Sequence, residues 1–72
     1  MKTLETPRVV VVTNGQIEAL KKLAIAQGDV ATEAIARVAL GETVAAVDAR
    51  FAHPVDARDE CVRIITNAMR ES

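Results

Sequence analysis

The sequence predicts a mainly α-helical protein in which one N-terminal strand, paired across a homodimer, is followed by three helices. Three observations lead to this prediction: one β-branched run of strand length, three later segments with helical apolar spacing, and a single aromatic residue in 72. Of the 36 hydrophobic residues, 13 are alanine and 10 are valine, so a chain of this length builds only a thin core. We therefore expect a second subunit to share that core.

The strand is expected over residues 8–13, after a polar, flexible arm over residues 1–7 that ends at Pro7. Its sequence, Arg-Val-Val-Val-Val-Thr, favours pleated and at least half-buried structure. No other segment has strand character, so the backbone donors and acceptors of this strand need a partner from another chain. Residues 8–72 are then one small domain that forms a homodimer.

The first helix is expected over about residues 15–27, with Thr13 or Asn14 as its N-cap. Gly28 suits the left-handed conformation that ends a helix. The residues on the apolar lattice of this helix are Ile17, Leu20, Leu23, Ala24 and Gln27.

The second helix is expected to begin near Asp29 or Thr32, either of which can serve as its cap. Its apolar face consists of Ala34, Ile35, Val38 and Ala39. The helix either ends near Gly41 or continues with a kink through residues 43–51, where Val44, Val47 and Phe51 repeat at helical spacing. A break at 41–42 is expected.

The last helix is expected after His53 and Pro54, because proline disfavours helical structure in the residue before it. Asp56 is its expected cap. The apolar stripe is Val62, Ile65 and Met69, flanked by Arg58, Arg63 and Arg70.

The charge balance excludes a protein that coats nucleic acid or an anionic membrane by bulk charge, since the net charge is −1 and the pI about 5.7. The charge is +1 over residues 1–40 and −2 over residues 41–72.

No apolar run exceeds four residues and the N-terminus has no signal core, so a soluble protein without a membrane partner is expected. The lone Cys61 suits a buried filler in the reducing cytoplasm.

Catalysis, metal and cofactor binding have no support in the sequence. His53 has Asp48, Asp56 and Cys61 near it, but the spacing matches no zinc signature and provides no activated nucleophile. Glycines at positions 15, 28 and 41 form no phosphate-binding loop. We expect no enzyme activity, and Lys21 and Lys22 are interpreted as a solvated helix face.

The element order resembles the ribbon-helix-helix family of small dimeric DNA-binding proteins over residues 8–40. In that family, an alternating strand precedes three apolar positions spaced by three, a glycine turn, and a Ser or Thr followed by Glu, a small residue and Ile. The matching residues here are Val10, Val12, Ile17, Leu20, Leu23, Gly28, Thr32, Glu33, Ala34 and Ile35.

The resemblance implies a dimeric ribbon that enters the major groove of duplex DNA. Arg8, Val9, Val11 and Thr13 would then face the bases, while Lys2 and Thr32 would hold phosphates, the latter at a helix N-terminus. The implied function is a homodimeric transcriptional regulator or repressor of antitoxin, phage or plasmid type. Residues 42–72 would be a helical extension that binds a protein partner, adds to the oligomer or, the interpretation we favour, covers the small core.

The alternative is a protein-interaction module that binds no DNA, such as an inhibitor or adaptor on a dimeric helical scaffold. It would present its acidic C-terminal half to another protein. The valine-rich strand and the pI favour this alternative, whereas the family-like spacing over residues 8–40 favours the regulator.

Overall fold

The computed structural model describes residues 12–71 as three α-helices and one short 3₁₀ helix. The α-helices are α1 (Asn14–Gln27), α2 (Val30–Ala39) and α3 (Pro54–Glu71), and the 3₁₀ helix is Ala49–Phe51. The mainly helical class and the three predicted helices are confirmed. Over residues 12–71 the backbone contains no strand. Most of the strand expected over residues 8–13 lies outside the described residues, so its pairing stays a prediction.

A reciprocal cap fixes the start of α1. The backbone N–H of Gln16 donates to Thr13 Oγ1 at 3.2 Å, and the backbone N–H of Thr13 donates to Gln16 Oε1 at 2.8 Å. At the other end Gly28 has φ 72°, where a residue without Cβ is favoured. The predicted bounds of α1 are therefore confirmed, with Thr13 rather than Asn14 as the cap.

Asp29 is the cap of α2, and Thr32 lies inside the helix. The backbone N–H of Thr32 donates to Asp29 Oδ1 at 3.1 Å, and its hydroxyl donates to Asp29 Oδ2 at 2.7 Å. The helix ends at Ala39 and the chain then turns through Gly41, which has φ 95°. The expected break at 41–42 is confirmed.

The segment between α2 and α3 is not a continued helix, although Val44, Val47 and Phe51 are partly buried against the core. Only a single 3₁₀ turn forms, capped by Asp48, whose Oδ1 accepts from the backbone N–H of Arg50 at 2.9 Å. The helical spacing of these three apolar residues therefore belongs to a loop that packs against the core, and not to a helix.

The prediction that Asp56 caps α3 is wrong, because α3 begins two residues earlier at Pro54. Proline suits the first helical position, where no intrahelical N–H bond is needed. The carbonyl oxygen of His53 accepts from the N–H of Ala57 at 3.0 Å, and its Nδ1 accepts from the N–H of Val55 at 3.2 Å. Asp56 lies in the first turn instead, where its charge suits the helix dipole.

The core is centred on α2, which packs extensively against both α1 and α3, while α1 and α3 contact each other little. Ala36 and Ala57 are fully buried, and such small side chains let helices approach closely. The buried cluster consists of Val12, Ile17, Ile35, Ala36, Val38, Ala39, Ala57 and Cys61. Residues from α3 thus cover the core, as the favoured interpretation of residues 42–72 proposed, and Cys61 is the buried filler that was predicted.

The predicted apolar faces are buried to different extents. All four named residues of the α2 face are buried. On α1, Ile17 and Ala24 are buried, but Leu23 is 53% exposed. On α3, Val62 and Ile65 pack against the core, whereas Met69 is 63% exposed. The predicted stripes of α1 and α3 therefore include large apolar residues that the core leaves exposed.

Candidate functional site

An apolar groove lies between α1 and α3, and we call it the α1–α3 groove. It exists because both helices pack on α2 and only weakly on each other. Its volume is about 370 Å³. The residues that line it are Gln16, Ala19, Leu20, Leu23, Ile64, Ile65, Ala68 and Met69.

The two helices run in the same direction along this groove. Near their N-terminal ends, Arg58 Nη2 donates to Asn14 Oδ1, and further along the lining residues come from 16–23 of α1 and 64–69 of α3. Four of the lining residues were predicted to face the core, namely Leu20, Leu23, Ile65 and Met69. Sequence reasoning missed Ala19, Ile64 and Ala68. The i, i+4 pairs Ala19 with Leu23 and Ile64 with Ala68 could have indicated them.

Seven of the eight lining residues are apolar. The exception is Gln16, whose Oε1 already accepts a hydrogen bond from the N–H of Thr13. Leu23 and Met69, on opposite walls, are more than half exposed. Large apolar side chains grouped in this way on a small protein are typical of a surface that binds another polypeptide.

Ion pairs within the protein occupy much of the basic charge of the described residues. Lys21 Nζ lies 3.1 Å from Glu18 Oε1 and 3.7 Å from Glu42 Oε2. Arg37 bridges Glu33 at 2.8 Å and Glu42 at 3.1 Å. Because these cations are already neutralised, they add little to attraction for phosphate. Lys21 is also partly buried and forms ion pairs, whereas Lys22 is exposed. The expected solvated helix face therefore describes Lys22 and not Lys21.

Two further pairs belong to a second groove of about 570 Å³, bounded by α2, the 3₁₀ helix and α3. There Arg50 Nε lies 3.3 Å from Asp48 Oδ1, and Arg63 pairs with Glu60. The hydrogen bond from Arg63 lowers the pKa of the Glu60 carboxyl. The Arg50 guanidinium also lies over the Phe51 ring, 5.1 Å from its centroid. The charged side chains that line this second groove are therefore already paired with each other.

Of the residues predicted to contact DNA, Lys2, Arg8, Val9 and Val11 lie outside the described residues. Thr13 and Thr32 lie at the starts of two different helices, and both are engaged in capping interactions.

A phosphate was expected at the N-terminus of α2. There the carboxylate of Asp29 accepts hydrogen bonds from the hydroxyl and the backbone N–H of Thr32. These two hydrogen bonds lower the pKa of Asp29. The protein's own negative charge thus occupies the position at which the helix dipole favours an anion.

His53 and Cys61 have structural roles. His53 Nδ1 accepts the Val55 N–H at the start of α3, and burial raises the pKa of the Cys61 thiol. Over residues 12–71, no three His, Cys, Asp or Glu side chains are grouped as metal ligands would be. None of the helices in that range has both the length and the apolar character that a membrane span requires.

Comparison of the chain with protein-family models, with curated proteins and with solved structures finds no match. The α1–α3 groove is therefore interpreted from its own chemistry.

Proposed function

We propose that this chain is a protein-interaction module that binds an apolar segment of a polypeptide in the α1–α3 groove. One observation carries the proposal: seven of eight lining residues are apolar, and Leu23 and Met69 remain more than half exposed on facing walls. This develops the alternative reached from the sequence, but it assigns binding to an apolar groove and not to the acidic charge of residues 42–72.

Burial of the exposed apolar side chains of the groove supplies enough free energy for a binding hot spot. Fully burying a leucine or methionine side chain stabilises by about 1.5–3 kcal/mol, so covering the exposed halves of Leu23 and Met69 supplies on the order of 2 kcal/mol. Binding energy concentrated in a few central apolar side chains is characteristic of protein interfaces. Among residues 12–71 no charged side chain lines the groove, so a bound apolar segment would not have to desolvate one there.

A displayed library of amphipathic peptides tests this function. The selection keeps peptides that bind the wild-type chain and then compares Leu23→Glu with Ile25→Glu. Ile25 is the matched control because it lies on the same helix with 50% exposure but outside the groove. We expect binding to be lost only in Leu23→Glu. Equal binding by both variants, or no selected peptide at all, would contradict the proposal.

A second candidate is a homodimeric ribbon-helix-helix regulator that binds operator DNA. The capped start of α1 at Thr13, the left-handed Gly28 and the Asp29-capped α2 support it, because they reproduce the helix order behind the family resemblance. In this candidate residues 8–13 pair between subunits, and Arg8, Val9, Val11 and Thr13 face the bases. The net charge and the internal ion pairs favour the interaction module over it.

Binding to random-sequence duplex at low salt distinguishes the two candidates, since a sequence-specific regulator keeps some nonspecific affinity. The regulator should shift the duplex, and replacing Lys2 and Arg8 with Gln should weaken the shift more than replacing the exposed Lys22. Absence of any shift at low salt would reject the DNA-binding candidate. For either candidate we propose the cytoplasm, because the chain carries one free cysteine, Cys61.

A further inference from the structure

We propose that Asn14 is a deamidation site whose reaction is restrained in the folded chain by Arg58 of α3. Asn14 is followed by Gly15, and both residues are exposed to water. Asparagine before glycine is the dipeptide most prone to this reaction, because glycine has no side chain to hinder attack by its backbone nitrogen. Neither residue lines the α1–α3 groove.

The reaction consumes only water. The backbone nitrogen of Gly15 attacks Cγ of Asn14, a C–N bond forms, and the Cγ–Nδ2 bond breaks. The proton of the Gly15 amide leaves with the side-chain nitrogen as ammonia, and a five-membered succinimide ring remains. Water then opens either side of this ring, and the residue becomes aspartate or isoaspartate. No atom is oxidised or reduced.

The helical backbone at Asn14 holds the reacting atoms apart. Ring closure requires Cβ of Asn14 and the nitrogen of Gly15 to lie nearly eclipsed about the Cα–C bond. Asn14 is the first residue of α1, and the helical ψ of about −42° keeps these atoms far from eclipsed. The first turn must therefore open before the ring can close, and helix ends open more readily than helix interiors.

Arg58 is a long-range restraint on that first turn. Its Nη1 donates to the carbonyl oxygen of Val12 at 3.0 Å, and its Nη2 donates to Oδ1 of Asn14. One guanidinium therefore fixes the backbone before Thr13 and the side chain after it. The guanidinium also draws electron density from the side-chain carbonyl, which favours attack, but attack needs the geometry that the same hydrogen bond prevents. The restraint should therefore outweigh the activation.

Deamidation changes the joint between α1 and α3. The aspartate product places a carboxylate beside the Arg58 guanidinium and at the N-terminal end of α1, where both charges favour it. The isoaspartate product carries the main chain through the side-chain carbon and adds a backbone atom to the first turn. That extra atom disrupts the spacing of the reciprocal cap between Thr13 and Gln16.

Peptide mapping by mass spectrometry of the full chain, incubated at mildly alkaline pH, measures the reaction at each asparagine. Asn67, inside α3 and followed by Ala68, is the internal control. In concentrated urea we expect Asn14 to deamidate faster than Asn67, and Gly15→Ala should remove most of that difference. In native buffer the rate at Asn14 should fall at least about tenfold, because the reaction then follows only the open fraction.

Variants in native buffer test the role of Arg58. Arg58→Met should raise the rate at Asn14 about tenfold, as expected for the loss of hydrogen bonds from a charged donor. Arg58→Lys, which keeps the charge but has one nitrogen for two acceptors, should give an intermediate rate. The matched control is Gly28→Ala, which perturbs the left-handed turn at the far end of α1 and should change the rate little.

Circular dichroism establishes that each variant is folded, and Arg58→Lys alone decides if Arg58→Met is not. Equal rates at Asn14 in native buffer and in urea, or at Asn14 and Asn67 in urea, would overturn the inference. A rate in the Arg58 variants no higher than that in Gly28→Ala would also overturn it.

Discussion

Arg58 of α3 donates a hydrogen bond from Nη1 to the carbonyl oxygen of Val12 at 3.0 Å, across 46 residues of sequence. Its Nη2 also donates to Oδ1 of Asn14, the first residue of α1. Val12 itself is buried at 6% exposure. A single guanidinium thus joins the C-terminal helix to the point where the chain enters α1, and the two halves of the protein depend on each other for stability.

Replacing Arg58 with Met should therefore lower the free energy of unfolding. Loss of hydrogen bonds from a charged donor, with a partly buried carbonyl left unpaired, costs about 1–3 kcal/mol. Urea unfolding measures the change. The control is Arg63→Met, whose arginine side chain is 61% exposed and pairs with Glu60 on the same helix, and a much smaller loss is expected there. Equal losses would mean that the contact from Arg58 to Val12 contributes nothing specific.

Two glycines of this chain should respond in opposite directions to alanine. Gly28 has φ 72°, a conformation that costs an L-residue about 1 kcal/mol, so Gly28→Ala should destabilise by roughly that amount. Gly15 lies in the first turn of α1, where an added Cβ meets only Thr13 Oγ1 at 3.7 Å. Gly15→Ala should stabilise by up to about 1 kcal/mol, because alanine is the better helix former. Thermal unfolding of both variants gives the signs, and a stabilised Gly28→Ala would contradict the role of the left-handed turn.

The cap of α2 should make stability depend on pH in the acid range. Hydrogen bonds from the hydroxyl and backbone N–H of Thr32 lower the pKa of Asp29 below its ordinary value of 3.8. A carboxyl whose pKa is lower in the folded state contributes stability that is fully present above the unfolded pKa. That contribution should be lost as the pH falls below about 4 and through the folded pKa.

Asp29→Asn is the matched variant, because asparagine caps about as well and does not titrate. Denaturant unfolding from neutral to acid pH should show the wild-type stability falling towards that of the variant or below it. Parallel curves for the two proteins would contradict the assignment.

The thiol of Cys61 should be unreactive in the folded protein. Its ionisation in the unfolded chain should lower the free energy of unfolding at alkaline pH. Burial raises the pKa of its thiol above the ordinary value of 9.0, so the unfolded chain ionises first as the pH rises. The unfolded state then binds fewer protons than the folded one, and the free energy of unfolding falls above about pH 9. Cys61→Ala should be less stable at neutral pH because of the cavity, but its stability should decline less steeply with pH. Rapid labelling of the native thiol by a disulfide reagent would contradict this picture.

Local signals in the sequence predicted the helices well. Thr13 or Asn14 before a periodic run, Gly28 after it, and Pro54 after His53 act through nearby backbone atoms, so the sequence alone carries these signals. Predictions that depended on contacts between elements were less reliable. Val44, Val47 and Phe51 have helical spacing yet belong to a loop with one 3₁₀ turn. One local signal was also misread, because Asp56 was predicted to cap α3 where His53 does so.

The sequence by itself determined a small, mainly helical chain with three helices and a break near Gly41. Only the tertiary structure decided which apolar residues are buried. Ile17 and Ala24 lie in the core while Leu23, on the same apolar stripe, lines an open groove with Met69. The physical reason is that helical periodicity specifies a face within one helix, whereas burial depends on where the neighbouring helices end and how closely they approach. Here α1 and α3 both pack on α2 and only weakly on each other, so the groove lies between α1 and α3, on faces that α2 does not line.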